Sequence, residues 1–362
     1  MRFFKRFCLL LSSILVFGLF LACDPFGTQL TQEDVTYYIS EGASPAPGRD
    51  TLEVMTWNLK FGGGRIEFFF DCFGDRVVMT SDEVQGHLEG ITAFINETQP
   101  DILMVQEVDV QSKRSAFVDQ VQWVLDHTEF QYAFYTPQWK ASYIPSDGLG
   151  RMNSGLAIFS RWPISEGRRM ALPLIGEQSC LVQYFYLKRC LQTCVVDIHG
   201  QKITLLNTHT AAYAQDGTKK KQLDLIFERL QDLASRGEPF IFAGDLNALP
   251  PGTTQTKGFP DSVCPPGEFE ADDYSAETDW LSPFYGAFSS AVPLSDYQRN
   301  NAPYFTHTVD GIGRWNRKLD YLFTNRTFVD ESDVTYQSFE AGGFDTFGLS
   351  DHCPLSVNYV LK

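Results

Sequence analysis

The stretch Phe240–Asn247 constrains the fold of this chain more than any other. Four apolar residues in succession lead into Gly244, Asp245, Leu246 and Asn247. A strand with one exposed face would alternate apolar and polar residues, so this run predicts a strand that is covered on both faces. Because side chains alternate along a strand, we expect Asp245 and Asn247 on one side and Leu246 towards the core. A buried strand would then present a carboxylate and an amide side by side at its end.

Similar apolar runs elsewhere in the chain also end in, or contain, polar residues. Each such residue alone has an ordinary structural explanation, since Asp and Asn are common in turns and a buried histidine can be part of a core. Their repetition instead predicts that strand ends bring polar side chains together in one pocket. The residues are Asn58, Glu107, His209, Asp320, Asp351 and His352.

Short motifs around these residues occur in a fixed order along the chain. They are T-W-N, Q-E-V, N-T-H, G-D-L-N, L-D-Y and S-D-H-C-P, and they span Thr56 to Pro354. The set resembles the endonuclease/exonuclease/phosphatase superfamily, which includes deoxyribonuclease I-like nucleases, exodeoxyribonucleases, neutral sphingomyelinases and inositol-polyphosphate phosphatases. The resemblance implies an α/β fold, a four-layer α/β sandwich in which two mixed β-sheets lie face to face with helices on the outside.

The resemblance also implies a divalent metal site. Glu107 would be the principal ligand, with Asn58 and Asp351 near the same ion. An all-oxygen site with few carboxylates, which keeps several waters on the ion, is typical of Mg²⁺. We therefore expect Mg²⁺ as the cofactor, and we expect Mn²⁺ to substitute for it.

Catalytic roles for the remaining polar residues follow from the same resemblance. Asp245 would orient or deprotonate the attacking water, and Asn247 and His209 would donate hydrogen bonds to the phosphoryl oxygens. His352 would be a further donor, and Asp320 would hold its ring in one tautomer and raise its pKa. Since no Ser or Cys lies in a nucleophile motif, we expect in-line attack of water without a covalent intermediate.

The predicted function is metal-dependent hydrolysis of a phosphodiester or a phosphomonoester. With 29 Lys and Arg against 45 Asp and Glu, the chain carries a formal charge of −16, which opposes binding of duplex DNA. The aromatic segments Phe68–Phe73 and Trp280–Phe288 would suit an apolar part of a substrate. We therefore expect a small or lipid-linked phosphoester. A secreted nuclease acting on DNA or RNA is the alternative, and a surface lipoprotein that only binds is less favoured because no site position is missing.

Basic residues near the predicted pocket could hold one phosphate group. Arg314, Arg317 and Lys318 precede Asp320, and Arg151 and Arg161 flank the strand that contains Asn153. They do not form a basic stripe as long as a DNA groove.

The N-terminus is typical of an export signal. Met1–Arg6 is a short basic segment, and the mostly apolar Phe7–Ala22 is short for a membrane span. The sequence Phe-Leu-Ala-Cys at its end resembles a bacterial lipoprotein box with Cys23 as the acylated residue, and a plain secretory signal is the alternative. We expect a signal peptide over residues 1–22, a lipidated cysteine and flexible tether over 23–50, and one catalytic domain over 51–362. The protein would be an exported monomer, lipid-anchored to a bacterial membrane on its periplasmic or surface side.

Other segments give local predictions. Apolar residues spaced along one face predict a helix that begins near Ser81, and similar patterns predict helices over residues 116–127 and Lys219–Arg236. Phe61–Arg65, with three glycines, is predicted to be a flexible loop. Part of the long segment Pro250–Pro303 is expected to overhang the pocket.

Some residues of types that often carry chemistry are assigned structural roles. His127, His199 and His307 are predicted to be structural. The cysteines outside the predicted signal and lipid site are even in number, which permits disulfide bonds in an exported protein but leaves their pairing open. These cysteines are Cys72, Cys180, Cys190, Cys194, Cys264 and Cys353.

Overall fold

The computed structural model describes residues 24–41, 48–71, 74–212, 214, 216–259, 273–309 and 314–361. The predicted signal peptide and the predicted lipidation site Cys23 lie outside these residues. So do Cys72, Cys264 and residues 42–47 of the predicted tether.

Strands and helices follow one another along the described chain. The strands are β1 (Thr36–Ile39), β2 (Thr51–Asn58), β3 (Ile102–Asp109), β4 (Tyr132–Ile144), β5 (Gly150–Ser160), β6 (Ile164–Ala171), β7 (Cys190–Ile198), β8 (Gln201–His209), β9 (Phe240–Asp245), β10 (Ser289–Ser290), β11 (Asp320–Thr324), β12 (Val334–Thr335), β13 (Glu340–Ala341), β14 (Phe344–Asp345) and β15 (Leu355–Val360). The helices are α1 (Ser81–Thr98), α2 (Gln120–Asp126), α3 (Cys180–Phe185), α4 (Thr218–Ser235), α5 (Ser282–Ala287), α6 (Leu294–Arg299) and α7 (Thr346–Leu349). Single 3-10 turns lie at Lys60–Gly62, Lys113–Ser115 and Ala302–Tyr304.

Two mixed sheets carry the fold. The first has the strand order β1-β4-β5-β3-β2-β15-β12, and the second has the order β10-β11-β9-β8-β7-β6. Strands β2 and β3 run parallel in the first sheet, as do β8 and β9 in the second, and the other pairings within these sheets are antiparallel. Parallel neighbours place their carboxyl ends at one edge of a sheet, so each sheet has one edge where consecutive strands deliver their last residues.

The two sheets lie face to face between helical layers. Apolar side chains of both sheets form the cluster between them, including Val54 and Met104 from the first and Leu205 and Ile241 from the second. Helices α1 and α2 cover the outer face of the first sheet, and α4 and α5 cover the outer face of the second. The predicted four-layer α/β sandwich is therefore confirmed.

Local sequence signals explain where the helices begin and end. Helix α1 begins at Ser81, and its cap is Thr80, whose side chain accepts from the backbone of Glu83 while the Glu83 carboxylate accepts from the backbone of Thr80. This reciprocal capping box satisfies two otherwise unpaired amides. Helix α2 is shorter than predicted because Ala116 and Phe117 have left-handed φ angles of 52° and 60°, which interrupt a helix.

Part of the predicted flexible tether belongs to the sheet instead. Residues 36–39 form β1, which pairs antiparallel with β4 at the edge of the first sheet. The strand is short and mostly exposed, so it carries no sustained apolar period that could have revealed it. The prediction of an unstructured spacer over all of residues 23–50 was wrong for this part.

The glycine-rich stretch Phe61–Arg65 is packed rather than a free loop. Phe61 is fully buried and lies edge-on to the ring of Phe68. The Arg65 guanidinium donates to the carbonyls of Phe347 and Thr308 at 2.7 and 2.6 Å. The glycines here allow close backbone approach, since a Cβ at Gly63 would lie 2.9 Å from the Lys60 carbonyl oxygen.

The aromatic segment Trp280–Phe288 contributes mainly to the core. Phe284 and Phe288 are buried against the ring of Phe227 on α4. Burial of one such ring stabilises the fold by roughly 1.5–3 kcal/mol. A substrate contact stays a prediction only for the partly buried rings of Trp280 and Tyr285.

Two further observations concern the cysteines and helices of the described chain. Cys180, Cys190, Cys194 and Cys353 are free thiols, so no disulfide forms among these described cysteines. No helix within the described ranges has the length and apolar character needed to cross a membrane.

Candidate active site

The predicted convergence of strand ends is observed at one edge of the sandwich. Strand β2 ends at Asn58, β8 at His209 and β9 at Asp245. Strand β11 runs antiparallel to β9 and begins at Asp320, which is the register partner of Asp245. His209 is in turn the register partner of Asp245 on the other side. Backbone pairing alone therefore places His209, Asp245 and Asp320 side by side.

Glu107 reaches the same edge through an irregularity in β3. The register between β3 and β5 shifts between Val105 and Val108, and Glu107 has a left-handed φ of 53°. A β-bulge of this kind re-aims a side chain that regular alternation would point elsewhere. The Glu107 side chain retains 31% of its surface exposed and lines the central cavity.

The carboxylate of Asp245 is the centre of the site. Its Oδ2 accepts from the Asn58 amide at 3.1 Å and lies 3.4 Å from His209 Nε2 and 3.5 Å from His352 Nε2. Its Oδ1 accepts from the backbone N–H of Asn247 at 3.0 Å. Burial and the nearby Asp320 raise the pKa of Asp245 to about 7, although His352 and these hydrogen bonds act against the rise.

His352 is held as a cation by two carboxylates. Its Nδ1 lies 2.7 Å from Asp320 Oδ2, which fixes the ring, and its Nε2 faces Asp245. Burial alone would lower the pKa of His352, but the Asp320 and Asp245 carboxylates outweigh burial and raise it to about 10. The ring therefore carries a positive charge at neutral pH.

His209 has the opposite character. It is buried, and burial together with the positive charges of Arg189 and His352 places its pKa well below the ordinary histidine value. Its Nδ1 lies 3.7 Å from Glu107 Oε1, too far for a hydrogen bond. The site thus holds one neutral and one cationic imidazole on either side of Asp245.

Asn247 lies just beyond the strand instead of on it. Strand β9 ends at Asp245, and Asn247 has a left-handed φ of 46° while its amide donates to the Thr210 carbonyl at 3.2 Å. Leu246 is buried in the core as predicted. The alternation argument predicted the right environment for both residues, but a turn, not strand geometry, brings Asn247 to the cavity.

The predicted metal ligands differ in how they face the cavity. Asn58 presents its amide nitrogen to Glu107 at 3.3 Å and to Asp245, while its side-chain oxygen accepts from the backbone N–H of Lys60 at 3.0 Å. Its oxygen is therefore already engaged. Burial, and after it the charge of Asp351, raise the pKa of Glu107, while Arg114, Arg189 and His352 act against the rise.

Asp351 is compensated by cations. Lys60 Nζ lies 3.8 Å from Asp351 Oδ2 and 3.4 Å from Asp71 Oδ2. Burial would raise the pKa of Asp351, but Lys60, His352 and Arg65 outweigh burial and lower it. Glu107 and Asp351 together offer the anionic oxygen atoms that a hard divalent cation requires, so the donor set fits such a cation.

Sequence reasoning missed several residues that line the cavity. Lys60 precedes the predicted loop Phe61–Arg65, Asp71 lies within the aromatic segment Phe68–Phe73, and Arg189 precedes β7 without any motif. His307, treated as structural with a place near the site as the alternative, lies with its ring 4.3 Å from the ring of His352. Its Nδ1 is buried with no hydrogen-bond partner among the described residues. The T-H-T sequence that resumes the sheet gave no signal beyond the histidine itself.

Three of the basic residues predicted to hold phosphate are not among the residues that line the cavity. Arg161 faces Asp101 at the start of β3, at the end opposite Glu107. Arg151 donates to Gln111. Lys318 is buried and donates to the Asp320 carbonyl at 2.8 Å. These three cations are engaged in structural contacts.

The cavity has a volume of about 280 Å³ and is lined by two kinds of residue. Polar residues of the strand ends form one group. The second group, called the apolar wall here, consists of Phe69, Phe70, Trp139, Leu174 and Ile175. Trp139 anchors the wall by donating from its indole nitrogen to the Phe185 carbonyl at 2.6 Å. Tyr274 is the part of Pro250–Pro303 that lines the cavity among the residues described.

We expect Asp320→Asn to lower the pKa of His352 in metal-free protein. The substitution removes the charge that holds Nδ1 and leaves burial, which favours the neutral ring. NMR titration of the imidazole resonances in the presence of a chelator measures the pKa directly. Asp330→Asn, which changes an exposed carboxylate, is the matched control, and an unchanged His352 pKa in Asp320→Asn contradicts the assignment.

Comparison with known proteins agrees with this geometry. Residues 55–352 match the sequence family described as Endonuclease/Exonuclease/phosphatase, whereas no curated protein matches the chain. Among solved structures, an endonuclease/exonuclease/phosphatase from Beutenbergia cavernae DSM 12333 is similar over 86% of this chain and 72% of its own, with 19% identity and a TM-score of 0.56.

Two further solved structures are similar over 86% of this chain. A mannosyl-6-phosphatase from Bacteroides thetaiotaomicron VPI-5482 is covered over 100% of its length, with 16% identity and a TM-score of 0.52. D. rerio TDP2 complexed with a single strand DNA product is covered over 99%, with 13% identity and a TM-score of 0.52. At such identities the likeness establishes the fold. Since the family match spans most of the sequence, the chain belongs to the Endonuclease/Exonuclease/phosphatase family.

Proposed function

We propose that this protein is a divalent-metal-dependent phosphoesterase that hydrolyses a small or lipid-linked phosphoester by in-line attack of water. Members of its family are hydrolytic phosphoesterases. The observation that carries the proposal is the placement of one carboxylate, Asp245, between His209 and His352, with Asp320 holding the far side of the His352 ring. This arrangement joins a proton acceptor to two imidazoles at the mouth of a cavity.

Glu107 and Asp351 are the residues that would hold the cation. Asn58 would orient the Glu107 carboxylate through its amide nitrogen, since its oxygen accepts from Lys60. A bound Mg²⁺, or Mn²⁺ in its place, would polarise the phosphoryl group and offset negative charge. Burial and the charge of Asp351 raise the pKa of Glu107, and a cation bound beside both carboxylates would offset the two effects.

Each side chain around Asp245 has a role that suits its charge state. With a pKa of about 7, Asp245 can accept a proton from water near neutral pH. Cationic His352 and neutral His209 are placed to donate to phosphoryl oxygens as charge develops. Asn247 would do the same through its amide, or hold the Thr210 turn to which it is bonded.

A covalent intermediate is not part of the proposed reaction. Cys190 and Cys353 are buried, and burial raises the pKa of both thiols. A protonated thiol is a poor nucleophile. Water activated by Asp245 is therefore the proposed nucleophile.

Replacing Glu107 by Gln should lower turnover by at least roughly 10²- to 10³-fold, the scale for loss of a principal electrostatic group. Release of nitrophenol from p-nitrophenyl phosphate and bis(p-nitrophenyl) phosphate, with and without EDTA, measures it. Glu129→Gln, on an exposed residue, is the control. Near-wild-type turnover of Glu107→Gln at saturating Mg²⁺ shows that Glu107 does not hold the metal.

The substrate preference rests on the shape and charge of the cavity. The apolar wall stands beside the catalytic residues, and Phe70 and Leu174 are 37% and 40% exposed there. Apolar side chains beside a few polar groups are a common feature of ligand sites. The formal charge of −16 opposes long polyanions. Both observations favour a single phosphoester group with an apolar or uncharged portion over duplex DNA.

Side-by-side assays at physiological salt test this preference. Supercoiled plasmid, sphingomyelin vesicles and inositol polyphosphates represent nucleic acid, lipid and small soluble substrates. We expect plasmid nicking to be the slowest of the three reactions. Nicking that outpaces the other two contradicts the proposal and supports a secreted nuclease instead.

We also propose that the protein is exported and anchored to a bacterial membrane through lipid on Cys23. The support is the basic, then apolar, N-terminal sequence that ends in this cysteine. Cys23→Ser should abolish labelling by a palmitate analogue and move the protein to the soluble fraction. Membrane association that persists in the variant argues for an uncleaved signal anchor.

A further inference from the structure

Arg189 is a cation in the catalytic cavity to which the mechanism above assigns no role. It lies immediately before β7 and lines the same cavity as Glu107 and His209. Its guanidinium donates from Nη1 to Gln138 Oε1 at 3.2 Å, and within the described ranges it makes no ion pair. A guanidinium has five N–H donors in a rigid fork, so most of its donor capacity is free for a ligand.

The other cations that line this cavity in the described chain are already matched by carboxylates. Arg114 donates to both oxygens of Asp109 at 2.9 Å, and Lys60 lies between Asp71 and Asp351. Arg189, by contrast, makes no ion pair within the described residues, so its charge can act on a ligand in the cavity.

The position of Arg189 is fixed by its surroundings. Gln138 is 2% exposed, and its amide nitrogen donates to the carbonyls of Cys190 and His209 at 3.3 and 3.4 Å. The buried Arg169 holds the preceding residue by donating to the Lys188 carbonyl at 2.6 Å. Leu172 donates to the Arg189 carbonyl at 3.0 Å. These contacts hold both the backbone and the guanidinium of Arg189 in place, in the cavity that His209 also lines.

We propose that Arg189 binds the terminal oxygens of a phosphomonoester dianion and so makes phosphomonoesters, rather than phosphodiesters, the preferred substrates. The inference rests on the proposed phosphoesterase function. A monoester offers a second anionic oxygen that a planar guanidinium can bind in a bidentate manner. A diester replaces that oxygen by a second substituent, for which a cavity of about 280 Å³ with a wall on one side has less room.

In the corresponding reaction, the oxygen of water forms a bond to phosphorus as the bond between phosphorus and the ester oxygen breaks. One proton of water passes through Asp245, and the leaving alcohol takes up a proton. The products are the alcohol and inorganic phosphate. Arg189 holds the terminal oxygens throughout and exchanges no proton, because its guanidinium stays charged in proteins.

The test compares two substrates with the same leaving group, p-nitrophenyl phosphate and bis(p-nitrophenyl) phosphate. We expect Arg189→Gln to lower kcat/KM for the monoester by about 10- to 100-fold, the effect of losing a hydrogen bond to a charged group. We expect the diester reaction to change little. Arg168→Gln, which removes an exposed arginine paired with Glu33, is the matched control and should alter neither reaction.

Arg189→Lys and a binding measurement make the test independent of folding and turnover. Arg189→Lys keeps the charge but loses the fork, so it should fall between wild type and Arg189→Gln for the monoester. Calorimetry with inorganic phosphate should show weaker binding to Arg189→Gln, and thermal unfolding reports whether each variant is folded. Hexose 6-phosphate and phosphatidic acid vesicles then distinguish a soluble monoester from a lipid one.

The outcomes separate the two proposals. Equal losses for monoester and diester, or no loss for either, overturn the role of Arg189 while leaving the phosphoesterase function intact. A wild-type protein that is inactive on both contradicts the proposed function, and phosphate binding then decides the inference alone. Equal phosphate affinity in wild type and Arg189→Gln overturns it.

Discussion

The site depends on the two sheets being held at a fixed separation, because its residues come from both. Asn58 and Glu107 belong to the first sheet, and His209 and Asp245 belong to the second. A shift of one sheet by an ångström would break the hydrogen bond from Asn58 to Asp245, which is 3.1 Å long. Apolar packing between sheets resists separation but fixes position along the interface only weakly, since it is non-directional.

Hydrogen bonds between buried side-chain amides fix the position of one sheet along the other, because hydrogen bonds are directional. Gln106 of β3 donates to the Asn207 side chain of β8 at 2.8 Å, and Asn207 donates back to the Val105 carbonyl at 2.9 Å. Gln192 of β7 donates to the carbonyl of Phe134 and to the Thr136 hydroxyl. Gln106, Asn207 and Gln192 are all fully buried. A buried polar group without a partner is costly, so these bonds permit one register between the sheets. Gln106 immediately precedes Glu107, and Asn207 lies two residues before His209. These hydrogen bonds therefore hold the backbone next to the site.

Backbone strain is concentrated at the same edge. Lys60, Phe61, Glu107 and Asn247 have φ angles of 44°, 45°, 53° and 46°, in a region that non-glycine residues rarely occupy. Such conformations cost on the order of 1–3 kcal/mol each, and they persist because the surrounding layers are packed. The strained backbone directs the Glu107 and Asn247 side chains into the cavity. The packing of the core offsets the free-energy cost of this strain.

The sequence was sufficient for the strands and for the residues at their ends because both are local patterns. An apolar run that ends in Asp or His carries its own evidence, as at Asp245 and His209. Arg189 carries none, because its place in the cavity depends on contacts far away in sequence. Of the apolar wall, Phe69 and Phe70 lie in the predicted aromatic segment Phe68–Phe73. Trp139, Leu174 and Ile175 had no local signal of this kind. The bulge at Glu107 and the buried glycine turn after Asn58 were missed for the same reason. The segment Trp280–Phe288 illustrates a further limit of local patterns. An aromatic pattern alone does not distinguish a core segment from a surface segment.

The net charge of the whole chain and the charges inside the cavity act on a ligand in different ways. Over the whole molecule the excess of carboxylates gives a formal charge of −16, which repels a long polyanion along its entire length. Inside the cavity, cationic His352 and Arg189, which makes no ion pair within the described residues, face a space that admits a group of limited size. A single phosphate group would experience mainly this local field, because the outer charges are screened over about 8 Å at physiological ionic strength. The proposed preference for one phosphate group over a duplex therefore rests on the difference in range between the two fields.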